Sequence, residues 1–176
     1  MCGIAGYIGK VPRTEDQLRD TLGTLRRRGP DAEGFRNFEL GDVSLMMIHS
    51  RLSIIDLDER ANQPYHFDGL WLTFNGEIYN YIEIREELKR LGYSFVSESD
   101  TEVLIKAFHC WGEECVLRFE GMWAFALFDE RKMQLWLSKD RFAEKPLFLF
   151  EDTNGIFFAS EVKQIEALSG KTLEKN

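Results

Sequence analysis

A cysteine at position 2, directly behind the initiator methionine, is the residue best placed to do chemistry in this chain of 176 residues. Its small side chain favours removal of Met1, after which the thiol and a free α-amine share one residue. An α-amine has a pKa of about 7.7–8.0, so near neutral pH a useful fraction can accept the thiol's proton. Cys2 could then serve as nucleophile and base together. The run behind it reads as core: Gly3, Gly6 and Gly9 punctuate an apolar stretch, the pattern of a short buried strand approached closely by other backbone. The plain alternative is that Cys2 is a small buried hydrophobe with no chemistry.

Composition narrows the classes. A chain of this length fits one domain, and 44% hydrophobic with 13% aromatic residues is the make-up of a soluble globular protein. No apolar run approaches the length that crosses a bilayer, and no secretion signal is visible, so a cytoplasmic protein without membrane contact is expected. The net charge of −8 argues against nucleic acid as a main partner. The short basic cluster Arg26-Arg27-Arg28 reads as a solvated helix end. Three cysteines make neither a disulfide framework nor a zinc signature, which leaves Cys110 and Cys115 as reduced structural thiols and predicts no metal site. With the α-amine able to act as base, His49, His66 and His109 read as structural.

The elements that must position Cys2 follow from capping and periodicity. Thr14 and Gln17 have capping-box spacing ahead of Leu18, Leu22 and Leu25, which predicts a helix over 15–27, ended by Gly29-Pro30-Asp31. Strands are expected at 35–38 and 43–48, then a long loop over 50–69. Another strand at 70–74 should end in an Asn75-Gly76 turn. Asn80 with Glu83, and Ser99 with Glu102, predict helices over 80–91 and 99–110, with a short strand at 93–96 between them. Four strands follow at 122–128, 133–137, 147–150 and 156–159, then a helix at 162–168 and a polar tail over 169–176. Strands too apolar to be open on one face suggest sheets sandwiched between helical layers.

Five segments, in order, carry a family resemblance: Cys2-Gly3-Ile4-Ala5-Gly6, Arg28-Gly29-Pro30-Asp31, His49-Ser50-Arg51-Leu52-Ser53-Ile54-Ile55-Asp56, Phe74-Asn75-Gly76-Glu77-Ile78-Tyr79-Asn80 and Ser99-Asp100-Thr101-Glu102. Together they resemble the glutaminase domain of class II glutamine amidotransferases, most closely that of glutamine-hydrolysing asparagine synthetases. The similarity continues more weakly through 119–126 and 140–147. It implies an N-terminal-nucleophile hydrolase fold of the α+β class, a four-layer αββα sandwich of two antiparallel sheets between helical layers, with residues 1–168 as the glutaminase domain.

The resemblance implies hydrolysis of the glutamine side-chain amide to glutamate and ammonia through a Cys2 thioester. It makes Asn75 and Gly76 the oxyanion hole, Arg51 the clamp on the substrate carboxylate and Asp100 the receiver of its ammonium. Glu77 and the backbone of Leu52, Ser53, Ile54 and Ile55 would line the rest. Read alone, Asn75-Gly76 is a tight turn, Asp100 a helix-start acid and Arg51 a surface ion-pair partner. Ala143 stands where relatives commonly have Gly, in a loop that could need an unusual backbone. No pyrophosphate loop occurs before Asn176, so ATP and magnesium are expected only in an absent synthetase domain, and no cofactor in this chain. The expected partners are L-glutamine and an ammonia-accepting domain or subunit, with a homo-oligomer possible. A glutamine-sensing or interaction module of the same fold is one alternative, and a glutaminase whose acceptor is a sugar or another metabolite rather than aspartate is another.

Overall fold

The apolar run behind Cys2 becomes strand β1 (Gly3–Gly9), the middle strand of a five-stranded sheet in a computed structural model that describes residues 2–173. The sheet order is β2 (Ala32–Leu40), β3 (Val43–Arg51), β1, β9 (Gly155–Ala159), β8 (Phe148–Asp152), with every neighbour antiparallel. A second antiparallel sheet holds β4 (Tyr65–Phe67), β5 (Leu70–Ile78), β6 (Gly121–Asp129) and β7 (Gln134–Lys139) in that order. Strand alternation gives each sheet two apolar faces. Phe38, Leu45, Met47, Phe128 and Phe158 fill the space between the sheets.

The outer faces are covered by helices, as the patterning requires. On the first sheet, α1 (Glu15–Leu25) and α4 (Val162–Ser169) bury Leu18, Leu25, Ile165 and Leu168 against Tyr7, Ile48 and Phe157. On the second, α2 (Tyr81–Arg90) and α3 (Asp100–Trp111) bury Ile84, Leu88, Leu104 and Phe108 against Phe74, Phe125 and Leu127. Each such side chain, taken fully out of water, contributes about 1.5–3 kcal/mol. The result is the expected αββα sandwich. Thr14 and Gln17 form the reciprocal capping box, and the Ser99 hydroxyl accepts the Glu102 N–H at 3.2 Å.

Several local expectations fail where tertiary partners win. Asn75-Gly76 is no turn: β5 runs through it, pairing Asn75 with Ala124 and Gly76 with Trp123. Asn80 does not cap α2; its side chain donates to Arg118 O and accepts from Glu120 N–H. Residues 93–96 form no strand, and the Val96 N–H goes to the Glu102 carboxylate instead. The loop over 50–69 is shorter than expected, because β3 reaches Arg51 and a 3-10 turn (Glu59–Ala61) and β4 interrupt it. A 3-10 segment over Gly112–Arg118 had no sequence signal. Ser169 belongs to α4, Leu173 packs against the α1/α4 layer, and residues 174–176 of the expected tail lie outside those described. Ala143 does adopt the left-handed region, at φ 55.

Candidate active site

Cys2 lies at the open end of β1, where the central strand delivers it to a cavity of about 140 Å³. Its thiol sits against the backbone of Leu52, accepting the N–H at 3.4 Å and facing the carbonyl at 3.6 Å. Burial pushes the thiol pKa up, against the pull of the Leu52 contact and of Arg51. The cavity is also lined by Arg51, Leu52, Ile54, Ile55, Asn75, Gly76, Glu77 and Asp100. Of the residues the sequence nominated, Ser53 alone is missing from the wall: its N–H is spent on Asp31 Oδ2 at 2.7 Å.

Two donors belong to residues of the cavity wall. Asn75 is buried, and its amide Nδ2 has no hydrogen-bond partner. For Gly76 the register decides. Opposite it, Trp123 turns both backbone groups outward to Asp140, its N–H donating to Oδ2 at 3.2 Å and its carbonyl accepting the Asp140 N–H at 2.8 Å. The pair is therefore a non-hydrogen-bonded one, and the Gly76 N–H points away from β6. Two residues to either side, the Phe74 and Ile78 N–H groups point the same way and are taken by Gln63 Oε1 at 2.6 Å and Asp100 Oδ2 at 3.1 Å. Because β4 pairs only with residues 70–72, this edge of β5 is open, and the Gly76 N–H faces the cavity between those two bonds. A Cβ on Gly76 would stand 2.2 Å from Met122 O and 2.7 Å from Trp123 Cα, so the β5–β6 contact itself demands glycine.

The charged groups are held differently. Asp100, nearly buried at the start of α3, has its carboxyl pushed up to about 6 by burial, with Glu77 beside it acting the same way and the Ile78 N–H pulling back. Arg51 is buried rather than a surface partner, but its fork is already engaged. Its two terminal nitrogens donate to Asp58 O (3.0 Å), Asn62 Oδ1 (2.8 Å), Ile55 O (3.4 Å) and Asp56 O. The two-pronged clamp expected of it is thus turned onto its own loop, leaving Nε. The three histidines stay out of the cavity wall. His49, fully buried, bonds Phe74 O at 3.1 Å, and burial lowers its pKa to about 3.

The sequence missed the groups that hold this arrangement. Arg28 is not a solvated helix end: its Nε donates to the Cys2 carbonyl at 3.0 Å and its NH1 pairs with Glu161 at 2.7 Å. Gly29 lets the turn lie on β3, where a Cβ would meet the Ser50 backbone at 2.5 Å. Asp31 donates its N–H to Arg51 O and accepts that of Ser53. The Arg28-to-Asp31 motif is thus a bracket joining the Cys2 end of β1 to the loop after β3. Its signal was the motif; its task was invisible without the contacts. Lys145, also on the wall, sits in a loop whose N–H groups at 142, 144 and 145 converge on the buried Asp140 carboxylate, each at 3.0 Å.

Comparison with known proteins identifies the family and the fold. A family model described as a glutamine amidotransferase domain matches residues 1–176. A protein of Methanocaldococcus jannaschii named putative asparagine synthetase [glutamine-hydrolyzing] 2 is 34% identical over 194 residues, covering 100% of this chain and 37% of its own length. Asparagine synthetase [glutamine-hydrolyzing] 1 of Bacillus subtilis is 38% identical over 172 residues, covering 94% and 26%. The chain thus spans about a third or a quarter of the length of these relatives. Glutamine phosphoribosylpyrophosphate amidotransferase from B. subtilis, solved with ADP and GMP, superposes with a TM-score of 0.78 at 19% identity, over 96% of this chain and 44% of that one, which shows a shared N-terminal-nucleophile fold. With a family model spanning its full length and relatives above 30% identity, the chain belongs to the glutamine amidotransferase domain family.

Proposed function

We propose that this domain hydrolyses the side-chain amide of glutamine through a thioester on Cys2 and delivers the ammonia to an accepting domain or subunit. The observation that carries the reading is the Asn75 Nδ2, a buried donor with no partner, in the same cavity as the Cys2 thiol and the outward Gly76 N–H. A buried donor left unsatisfied costs about 1–3 kcal/mol. That cost is offset when negative charge develops on an amide oxygen placed between the two donors, which is the condition for transition-state stabilisation rather than ground-state binding.

The chemistry then runs in two halves. With Met1 removed, the Cys2 α-amine takes the thiol proton as sulfur attacks the amide carbon, and passes it to the departing nitrogen, which leaves as ammonia. Water, deprotonated by the same amine, then attacks the thioester, releasing glutamate and restoring the thiol. Burial raises the thiol pKa, which favours proton transfer to the base during attack. Glutamine is selected as a zwitterion: Asp100 and Glu77 offer negative charge to its ammonium, and Arg51, its two terminal nitrogens held by the loop, offers positive charge and its Nε to the carboxylate beside the loop backbone at Ile54 and Ile55.

Names borne by the relatives, asparagine synthetases that hydrolyse glutamine, support asparagine formation, in which ammonia becomes the new side-chain amide, as the step that consumes the ammonia. The deciding experiment is ammonia release from glutamine by wild type and Cys2→Ala, with the intact mass recorded. Wild type lacking Met1 should turn over and Cys2→Ala should not. Processed wild type that binds glutamine without releasing ammonia, alone or with an acceptor domain, would establish a sensing module instead. Full activity with an N-terminal extension in place would refute the α-amine as base.

A further inference from the structure

Asp56 ends the longest of the five motif segments. Its backbone is in the left-handed region at φ 53, uncommon for a non-glycine residue although aspartate enters it more readily than most. Its side chain is 4% exposed. One carboxylate oxygen accepts the Asp58 N–H at 3.1 Å, and the other accepts the Glu98 N–H at 2.7 Å and lies 3.5 Å from Arg60 Nε. Its own carbonyl accepts from Arg51. These hydrogen bonds outweigh burial and hold the carboxyl below the usual carboxylate range.

The two ends of this connection are the two charged walls of the cavity. On one side stands the loop around which the Arg51 guanidinium is wrapped. On the other, Glu98 precedes Ser99, the cap of α3, and then Asp100; Arg85 fixes this segment from behind, through Glu98 at 2.5 Å and the Ser99 carbonyl at 3.2 Å. Hydrogen bonds therefore run from Arg51 to the Asp56 carbonyl and from the Glu98 N–H to the Asp56 carboxylate, and Glu98 stands two residues ahead of Asp100 in the backbone. We infer that Asp56 is a positioning residue that sets the spacing between the cation and the anion, and so the discrimination in favour of a substrate carrying both an α-carboxylate and an α-ammonium. The inference rests on the glutaminase reading for its substrate, while its geometry is independent of Cys2.

The test compares glutamine with a simple aliphatic carboxamide, such as propionamide, that presents the scissile group without the charges. In Asp56→Ala, KM for glutamine should rise about 10- to 100-fold, the worth of one or two hydrogen bonds to a charged group. The kcat should stay within about threefold, and kcat/KM for propionamide should be unchanged. Asp56→Asn keeps the shape and one acceptor but sets an NH₂ against the second N–H, so it should fall in between and covers failure of the alanine variant to fold. Glutamine affinity by calorimetry in the Cys2→Ala background should drop by the same factor, with no turnover required. Parallel losses on both amides, or a KM and affinity within twofold of wild type, would overturn the inference. If wild type releases no ammonia but the calorimetric loss appears, the hydrolysis reading fails and the Asp56 inference stands.

Discussion

Asn75→Ala separates a catalytic donor from a structural one. In most buried asparagines, truncation loses hydrogen bonds and destabilises the fold. Here the amide nitrogen has no partner to lose, and the residue is 1% exposed. Removing it abolishes an unsatisfied donor worth about 1–3 kcal/mol of penalty, while the small cavity left behind costs a comparable amount. The two nearly cancel, so folding stability should stay within about 1 kcal/mol of wild type. Activity should behave otherwise. Losing one of two oxyanion donors costs about 10²–10³ in kcat, some 3–4 kcal/mol of transition-state stabilisation, with KM little changed. Urea unfolding and steady-state ammonia release on the same preparations measure both. A variant destabilised by more than 2 kcal/mol, or one keeping kcat within threefold, would refute the assignment.

Asp100 gives a pH signature. Its carboxyl, at about 6 in the fold against an ordinary 3.8, keeps a proton between those values that the unfolded chain has released, so its contribution to stability falls as pH rises through that window. Asp100→Asn should therefore raise stability at pH 7, by at most about 2–3 kcal/mol, yet raise KM for glutamine at least tenfold; wild-type KM should itself fall as pH rises through about 6. His49 works in the opposite sense: at about 3 in the fold, it stays neutral while the unfolded chain takes up a proton below about 6.5, so stability drops on acidification through that range. His49→Gln should flatten that slope in urea melts while leaving kcat near wild type. Gly76→Ala must push its Cβ into Met122 O and should cost about 3 kcal/mol in folding, the top of the overpacking range, besides lost activity.

Much of the fold was legible because its signals are local. Thr14 with Gln17 and Ser99 with its helix are caps that close over three residues, and the apolar strands of the second half announce themselves by composition. Where the same signals misled, a distant partner had overruled them. The Asn75-Gly76 pair has ideal turn chemistry, but Ala124 and Trp123 hold it extended; Asn80 has capping chemistry, but Arg118 and Glu120 hold its side chain. The cavity residues were legible through motifs. The frame around them was not, because Arg28 on Cys2, Asp31 on Ser53 and Asp56 on Glu98 are contacts across 22 to 42 positions of sequence, and no spacing rule reaches that far.

The place of β1 in its sheet has a consequence in time. Its two neighbours are β3, ending at Arg51, and β9, ending at Ala159, and the Ser160 hydroxyl and N–H close on Ile4 at 3.0 and 2.9 Å. On the ribosome the first strand is made first and completed last. At about 5–20 residues per second, it waits roughly 10–30 s for its final partner. Throughout that interval the segment carrying the nucleophile is an open strand, accessible to trimming at its end and unable to form the cavity. A chain cut short anywhere before β9 would leave β1 as an unprotected edge, prone to pairing with other chains and without the geometry for hydrolysis.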